Sequence, residues 1–420
     1  MSDPKRVRPA PHQIWRGVRE SARSDAFGGL LLVGAAVVAL VVANTPASGL
    51  YTSVRDAQVA IPALHLDLTV GQWASDGLLA IFFFVVGLEL KEEFVAGKLR
   101  NPKKAAVPIA AAFGGVAMPA IIYGLIVVLS GQSDGLRGWA IPTATDIAFA
   151  VAVLAIVGRG LPTALRIFLL TLAIVDDLIA ITIIAIFYTE QLHLVYLLLA
   201  IVPLALFALL TRRGITSWWL LFPLGMITWW LVHSSGIHAT IAGVLLGFMP
   251  PVAATASAHV RVVLDDGEPA YEGIVAHLAD QWGIFSTLVA VPVFAFFSAG
   301  VVVGGVAGLG KALTDPITLG IVAGLVVGKP IGIVGTAFLL DRLPAFQLDE
   351  TLGWGDMLGL GFVAGVGFTV SLLVGELAFG PQSVADEHVK IGVLLGSFVA
   401  AIVGGLVCAR RARARQAVAG

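Results

Sequence analysis

The chain has a single cysteine, Cys408, in 420 residues. A disulfide framework is thereby excluded, as is any metal site built on paired cysteines. Charge is scarce as well. Asp, Glu, Lys and Arg together make up 13% of the sequence, against about 25% in soluble domains. That deficit leaves too little polar surface to cover a water-soluble globule of this size. The net charge of −1 points to no partner, and no nucleic-acid partner is expected. No segment between the apolar runs is long enough for a separate soluble domain.

What the sequence has in excess is apolar residues, 58% of the chain, gathered into long runs. A bilayer core of about 30 Å takes roughly 20 apolar residues per helix. Twelve such runs are predicted, at roughly 27–44, 75–96, 104–130, 138–157, 162–188, 193–211, 216–233, 236–250, 283–305, 316–340, 354–379 and 388–409. The seventh and eighth nearly touch, and as one span they would make eleven. Trp73, Trp139, Trp218, Trp219, Trp282 and Trp354 sit near run ends, as amphipathic rings do at a membrane interface. With both termini inside, 21 of the 26 basic residues fall in inner segments; only Arg55, Arg137, Lys311 and Lys390 fall outside. That bias fixes the expected orientation and an even span count. The first run follows a long polar arm and is read as a retained span rather than a signal peptide.

The expected domain layout is an inner N-terminal arm over 1–24, one transmembrane domain over 25–409, and an inner tail over 410–420. Two connections are substantial. The outer one, 45–72, alternates polar and apolar residues from His65 to Val70. With Ser53–Ala60 before it and Pro62 between, it predicts a small β-hairpin. The inner one, 251–282, is Ala-rich and then acidic.

Ionisable residues inside apolar spans carry the functional signal, because a charge at the bilayer centre costs at least a few kcal/mol. Asp176 and Asp177 lie at the centre of the fifth run, Asp146 near the centre of the fourth, and Lys329 beside the centre of the tenth. Three helices thus put ionisable groups at one depth. A lysine stem is too short to snorkel from there to the interface. Neighbouring helical residues diverge by about 100°. Of Asp176 and Asp177, one is free to hold an ion while the other meets an adjacent helix.

Two runs are also interrupted. The fourth contains Pro142, Thr143 and Thr145 just before Asp146. The proline removes a backbone donor, and the threonines can satisfy freed backbone groups. The eleventh holds Gly359, Gly361, Gly365 and Gly367, followed by Thr369; glycines there ease unwinding or allow close helix packing. The two breaks occupy the middle of runs 3–5 and of runs 10–12, which cross in opposite directions. That is the pattern of an inverted-repeat transporter with two discontinuous helices. At such a crossing Asp146 would offset positive helix ends and Lys329 negative ones.

Several motifs then resemble NhaA-type bacterial sodium/proton antiporters: Thr145–Ala150, Ala173–Leu178, Gly328-Lys329-Pro330, Gly367-Phe368-Thr369, Phe82–Glu89 and Gly236–Thr240. The likeness runs over about residues 20–410, and inverted repeats of this family are themselves an example of the general rule. The resemblance implies an ion and proton site at Asp176 and Asp177, with Asp146, Thr145 and Lys329 at the helix crossing. It further implies an inner funnel with Asp76, Glu89 and Glu93, and a pH response involving His238. Before the ninth span the sequence departs from the family's pattern, and His277 alone stands out as a candidate match.

The expected function is exchange of internal Na⁺, and Li⁺, for external H⁺ across the bacterial inner membrane. It is expected to be electrogenic and pH-regulated, and to form a homodimer through the outer hairpin. Sodium wants oxygen ligands, and one carboxylate cannot hold Na⁺ and a proton equally well, so competition at one site suffices for exchange. No cofactor, nucleotide or enzymatic activity is expected. Gly305–Lys311 has phosphate-loop spacing, but Ala312 stands where Mg²⁺ needs Ser or Thr. Gly353-Trp354-Gly355-Asp356 resembles an intramembrane aspartyl protease signature, but the sequence has no partner Tyr-Asp within another span. A Na⁺-coupled solute symporter and a cation channel are the alternative readings.

Overall fold

The computed structural model describes residues 25–64, 66–100, 102–158, 160–189, 191–254, 258–263, 269–303, 305–343, 346 and 348–419. The expected arm over 1–24 lies outside them. In chain order come α1 (Asp25–Ala43), α2 (Ser48–Arg55), β1 (Gln58–Ile61), β2 (Leu66–Thr69), α3 (Val70–Val95) and α4 (Pro102–Leu129). After two 3-10 turns, Ser133–Gly138 and Ile141–Thr143, follow α5 (Ile147–Val157), α6 (Thr163–Phe187), α7 (Leu194–Arg212), α8 (Trp218–Ser234) and α9 (Thr240–Gly247). The remainder is β3 (Val260–Val263), β4 (Pro269–Glu272), α10 (Ile274–Ala299), α11 (Gly305–Thr314), α12 (Pro316–Asp341), α13 (Trp354–Val363), α14 (Phe368–Phe379) and α15 (Val384–Ala419).

Among the described residues, seven helices are long and apolar enough to cross a membrane: α3, α4, α6, α7, α10, α12 and α15. The number reaches ten if each of three bent pairs counts as one span. The other two predicted spans fall on α8, with 17 residues, and α9, with 8. The pairs are α1 with α2, bent by 117°, the turns Ser133–Thr143 with α5, bent by 50°, and α13 with α14, bent by 48°.

Local chemistry sets the ends. Thr69 and Gln72 form a reciprocal capping box that starts α3. Asp315 caps α12 through the N–H of Ile317 at 2.9 Å, with Pro316 in the first turn. Three of the long helices carry a π-turn, at Trp73–Leu78, Ser286–Ala290 and Gly324–Gly328. The last ends immediately before Lys329. There α12 presses on α4: a Cβ on Gly332 would collide with the main chain of Gly114, and one on Gly328 would come within 2.7 Å of Pro119 Cα. Lys329 is thus held by a backbone contact that only glycine permits.

The structure corrects three local expectations. Ser53–Arg55 belong to α2, so the first hairpin strand begins at Gln58; it pairs antiparallel with β2 from Gln58↔Thr69 to Ile61↔Leu66. His65 lies outside the described residues. The segment 251–282 holds a second two-stranded sheet, β3 with β4, and α10 already begins at Ile274. Residues 410–419 continue α15 as helix rather than forming a separate tail. Arg411 and Arg415 of this extension both bond the buried Asp356 carboxylate, which also caps α13 through the Gly353 N–H.

Candidate functional site

The site forms where the two interrupted segments meet. Asp146 is the N-cap of α5; its Oδ1 accepts the Phe149 N–H at 3.0 Å, and its Oδ2 accepts the Thr369 N–H of α14 at 3.3 Å. One carboxylate therefore sits at the positive ends of two half-helices, where it satisfies a free donor in each. The Asp146 N–H in turn donates to Val366 O at 2.6 Å. Thr145 Oγ1 donates to Ala364 O at the carboxyl end of α13, at 2.8 Å. Ser371 Oγ donates to Ile141 O at 2.5 Å. Pro142 and Thr143 are buried in the 3-10 turn, and the Thr143 hydroxyl returns to Ala140 O at 2.7 Å. Gly365 and Gly367 let the chains touch. A Cβ at Gly367 would lie 2.7 Å from Ala144 O, and one at Gly365 would strike Leu325 O.

Lys329 closes the crossing from α12. Its Nζ donates to Asp176 Oδ2 of α6 at 2.7 Å and to Thr145 Oγ1 at 2.9 Å. Both Lys329 and Asp176 are 0% exposed. Through Thr145 the ammonium also reaches the negative end of α13. Asp177, next to Asp176 on α6, points elsewhere. It is buried and lies within electrostatic reach of Asp176, Asp146, Lys329 and Glu89. Asp176 Oδ1 and Asp177 Oδ1 are fully buried with no hydrogen-bond partner. Polar atoms left bare in an apolar interior are costly, so these two oxygens are the natural place for a cation or a proton. No group of three or more His, Cys, Asp or Glu side chains converges on a metal position among the described residues. A small hard cation here would use a carboxylate with hydroxyl or main-chain oxygens.

The outlying residues separate into two groups. Asp76 lies on the π-turn of α3, and its Oδ1 is 3.3 Å from His238 Nε2, whose Nδ1 meets Thr240 Oγ1 at 2.8 Å. Both Asp76 and His238 line a cavity of about 1140 Å³ beside the β1–β2 hairpin. Glu89 and Glu93 lie 13 and 17 residues further along α3, about 20 and 25 Å away at helical rise. The expected funnel therefore does not hold together: Asp76 opens to the hairpin side, and Glu89 and Glu93 belong to the opposite end of α3. His277, near the start of α10, is 4.0 Å from Glu272 of β4. The sequence reading missed Glu376, Asp386 and Lys390, which meet on α14 and α15 at the hairpin-side cavity. Glu376 interrupts the apolar run Phe368–Phe379, the same signal that exposed Asp176.

Comparison with known proteins joins this geometry to a family. The Na⁺/H⁺ antiporter 1 family matches residues 19–408. The chain belongs to that family. It is 58% identical over 406 residues to the Na(+)/H(+) antiporter NhaA 1 of Clavibacter michiganensis subsp. michiganensis, covering 96% of this chain and 93% of that relative. It is 56% identical over 398 residues to the Na(+)/H(+) antiporter NhaA of Frankia casuarinae, covering 95% and 88%. The antiporter of Frankia alni matches at 56% over 413 residues, covering 98% and 94%. With its apolar helices, this family member is a multi-pass membrane protein.

Proposed function

We propose that the protein is a secondary transporter, not an enzyme, that exchanges internal Na⁺, and Li⁺, for external H⁺. The observation that carries this is the pair of bare, buried oxygens, Asp176 Oδ1 and Asp177 Oδ1, beside a lysine already committed to Asp176. The relatives named as Na⁺/H⁺ antiporters support the ion pair chosen. In this reading Asp177 is the exchanging ligand. It holds either a proton or Na⁺, and binding one releases the other. Lys329 keeps Asp176 ionised and in place. Asp146 fixes the two half-helices, and Thr145 links Lys329 to the end of α13.

The same reading takes the interrupted pairs as two discontinuous spans of an inverted-repeat fold with twelve spans in all. Span three to span five then forms one repeat and span ten to span twelve the other. The protein lies in the bacterial inner membrane with both termini in the cytoplasm. It uses more than one proton per Na⁺ and is thereby electrogenic, and its rate depends on pH. β1, whose residues are all exposed, offers an unpaired edge that a second copy covers to make a homodimer.

Proteoliposomes test the function. Purified protein is expected to move H⁺ outward when Na⁺ is driven inward, with no other solute present, and to generate a membrane potential. Na⁺ flux that requires a second solute, or Na⁺ flux with no H⁺ movement, would falsify the assignment.

A further inference from the structure

Glu376 of α14 and Lys390 of α15 line the hairpin-side cavity, and Asp386 of α15 pairs with that lysine behind it. Asp386 and Lys390 stand one turn apart on α15 and pair at 2.8 Å, with side chains 0% and 5% exposed. Asp386 has a second commitment. Its Oδ2 accepts the main-chain N–H of Gln382 at 3.0 Å. Gln382 has φ +64°, a conformation held only where surrounding contacts demand it, and its amide reaches Asp56 beyond α2 at 2.8 Å. Glu376 of α14 comes to the same Lys390 ammonium at 3.8 Å.

One ammonium cannot neutralise two carboxylates in such a wall. Asp386 holds the closer pairing and is tied to the turn before α15, so Glu376 is the surplus acid. It lines the cavity, and the Ser298 hydroxyl of α10 is in hydrogen-bonding contact with it. The other charges that face it are Asp76 from α3 and Tyr51 from α2, with Arg55, Asp56, Asp134, Arg137, His233 and His238 around the same cavity.

Position supplies the second argument. Glu376 is seven residues beyond Thr369, two turns along the same face of α14 and roughly 10 Å away. The Thr369 N–H is bonded to Asp146, and Asp146 is within electrostatic reach of Asp177. One helix face therefore leads from the cavity to the ion site.

We propose that Glu376 is a proton relay for the exchange reaction, loading protons from the hairpin-side cavity and passing them towards Asp146 and Asp177. The inference rests on the antiport reading. Glu376 gives up its carboxyl proton to water, which carries it over the intervening distance to the inner carboxylates, and becomes a carboxylate held by Lys390 and Ser298. It then takes a new proton from cavity water. No bond to carbon changes and no electron moves. Glutamine keeps the shape but carries no proton.

The test uses full-length protein in right-side-out and everted membrane vesicles, with pH set independently on each side. Glu376→Gln is expected to keep wild-type thermal stability and wild-type stabilisation by Na⁺. Its turnover is expected to fall by about tenfold or more, the scale of a lost proton-transfer group, and its response to hairpin-side pH to flatten. Glu376→Asp restores both. Glu376→His, which binds its proton with a different affinity, displaces the hairpin-side profile and leaves the opposite profile in place. Wild-type turnover and pH response in Glu376→Gln overturn the relay, as does an Asp variant as slow as the Gln variant, which marks a packing role. Wild-type protein that moves no H⁺ against Na⁺ overturns the antiport reading and the relay with it.

Discussion

The helix crossing and the hairpin-side cavity are built from the same parts to different ends. Each has a lysine paired with one aspartate, Lys329 with Asp176 at 2.7 Å and Lys390 with Asp386 at 2.8 Å. Each has a second carboxylate close by, Asp177 in one and Glu376 in the other. At the crossing the pair joins different helices, and both members are 0% exposed. At the cavity the pair lies on one helix, and its surplus acid is 16% exposed. In the dry site removal of either partner strands a charge. Beside the cavity of about 1140 Å³ the paired side chains are also buried, and of the three ionisable groups it is the surplus acid, Glu376, that meets the open space most. The contrast separates a group that binds an ion from a group that serves it.

The largest effect is expected at Asp177. Asp177→Asn should fold and exchange no Na⁺, measured by flux in proteoliposomes; normal exchange would remove the crossing from the ion pathway. Next comes the dry pair. Lys329→Ala or Asp176→Asn alone should cost roughly 3–5 kcal/mol, because each leaves the other charge buried and uncompensated. Protonation of an orphaned Asp176 softens the loss, so the Lys329→Ala deficit should grow as pH rises. Asp176→Asn with Lys329→Gln should be more stable than either single change in a double-mutant cycle on Tm, whereas simple additivity would mean the pair does not act as one.

The pair beside the cavity should matter less, because Asp386 keeps the Gln382 N–H when its lysine is removed. Lys390→Gln is expected to lose about 1.5–3 kcal/mol, the scale of a charge-assisted hydrogen bond, in the same melting assay. A loss equal to that of Lys329→Ala would erase the distinction between the two regions. Gly367→Ala should cost about 1–3 kcal/mol by overpacking, since its Cβ would sit 2.7 Å from both Ala144 O and Ser371 Oγ. The smallest effect on transport belongs to the hairpin. Deletion of residues 58–69 should yield monomers by size analysis in detergent while exchange persists, and an unchanged dimer would assign the contact elsewhere.

Much of the crossing was legible because charge in an apolar run has few explanations. Asp176, Asp177, Asp146 and Lys329 shared a depth, and a shared depth was enough to bring them together. The same rule applied to Glu376 and was not used, because the glycines upstream drew the reading of that span. The resemblance groups Asp76 with Glu89 and Glu93, and one helix does carry all three. A helix of 26 residues is about 40 Å long, so a common helix does not mean a common place. The second sheet stayed hidden because Val260-Arg261-Val262-Val263 and Pro269-Ala270-Tyr271-Glu272 lack the strict polar–apolar alternation of Leu66–Thr69. The bonds from Thr145 to Ala364 O and from Asp146 N–H to Val366 O had no signature at their acceptor ends, since any side chain at 364 or 366 leaves the carbonyl in place.

That last property governs how the protein tolerates change. A scan that replaces Val366 or Ala364 one side chain at a time never removes the carbonyls that tie the half-helices together. Such a scan reports only the packing of these two buried side chains and says nothing of the carbonyl tie. The tie becomes visible when its donor is removed, the Thr145 hydroxyl by substitution or the amide at residue 146 by an ester or a proline. A change of side chain at the acceptor positions therefore alters packing but not the tie, and two homologous chains can differ at 364 and 366 while keeping one and the same knot.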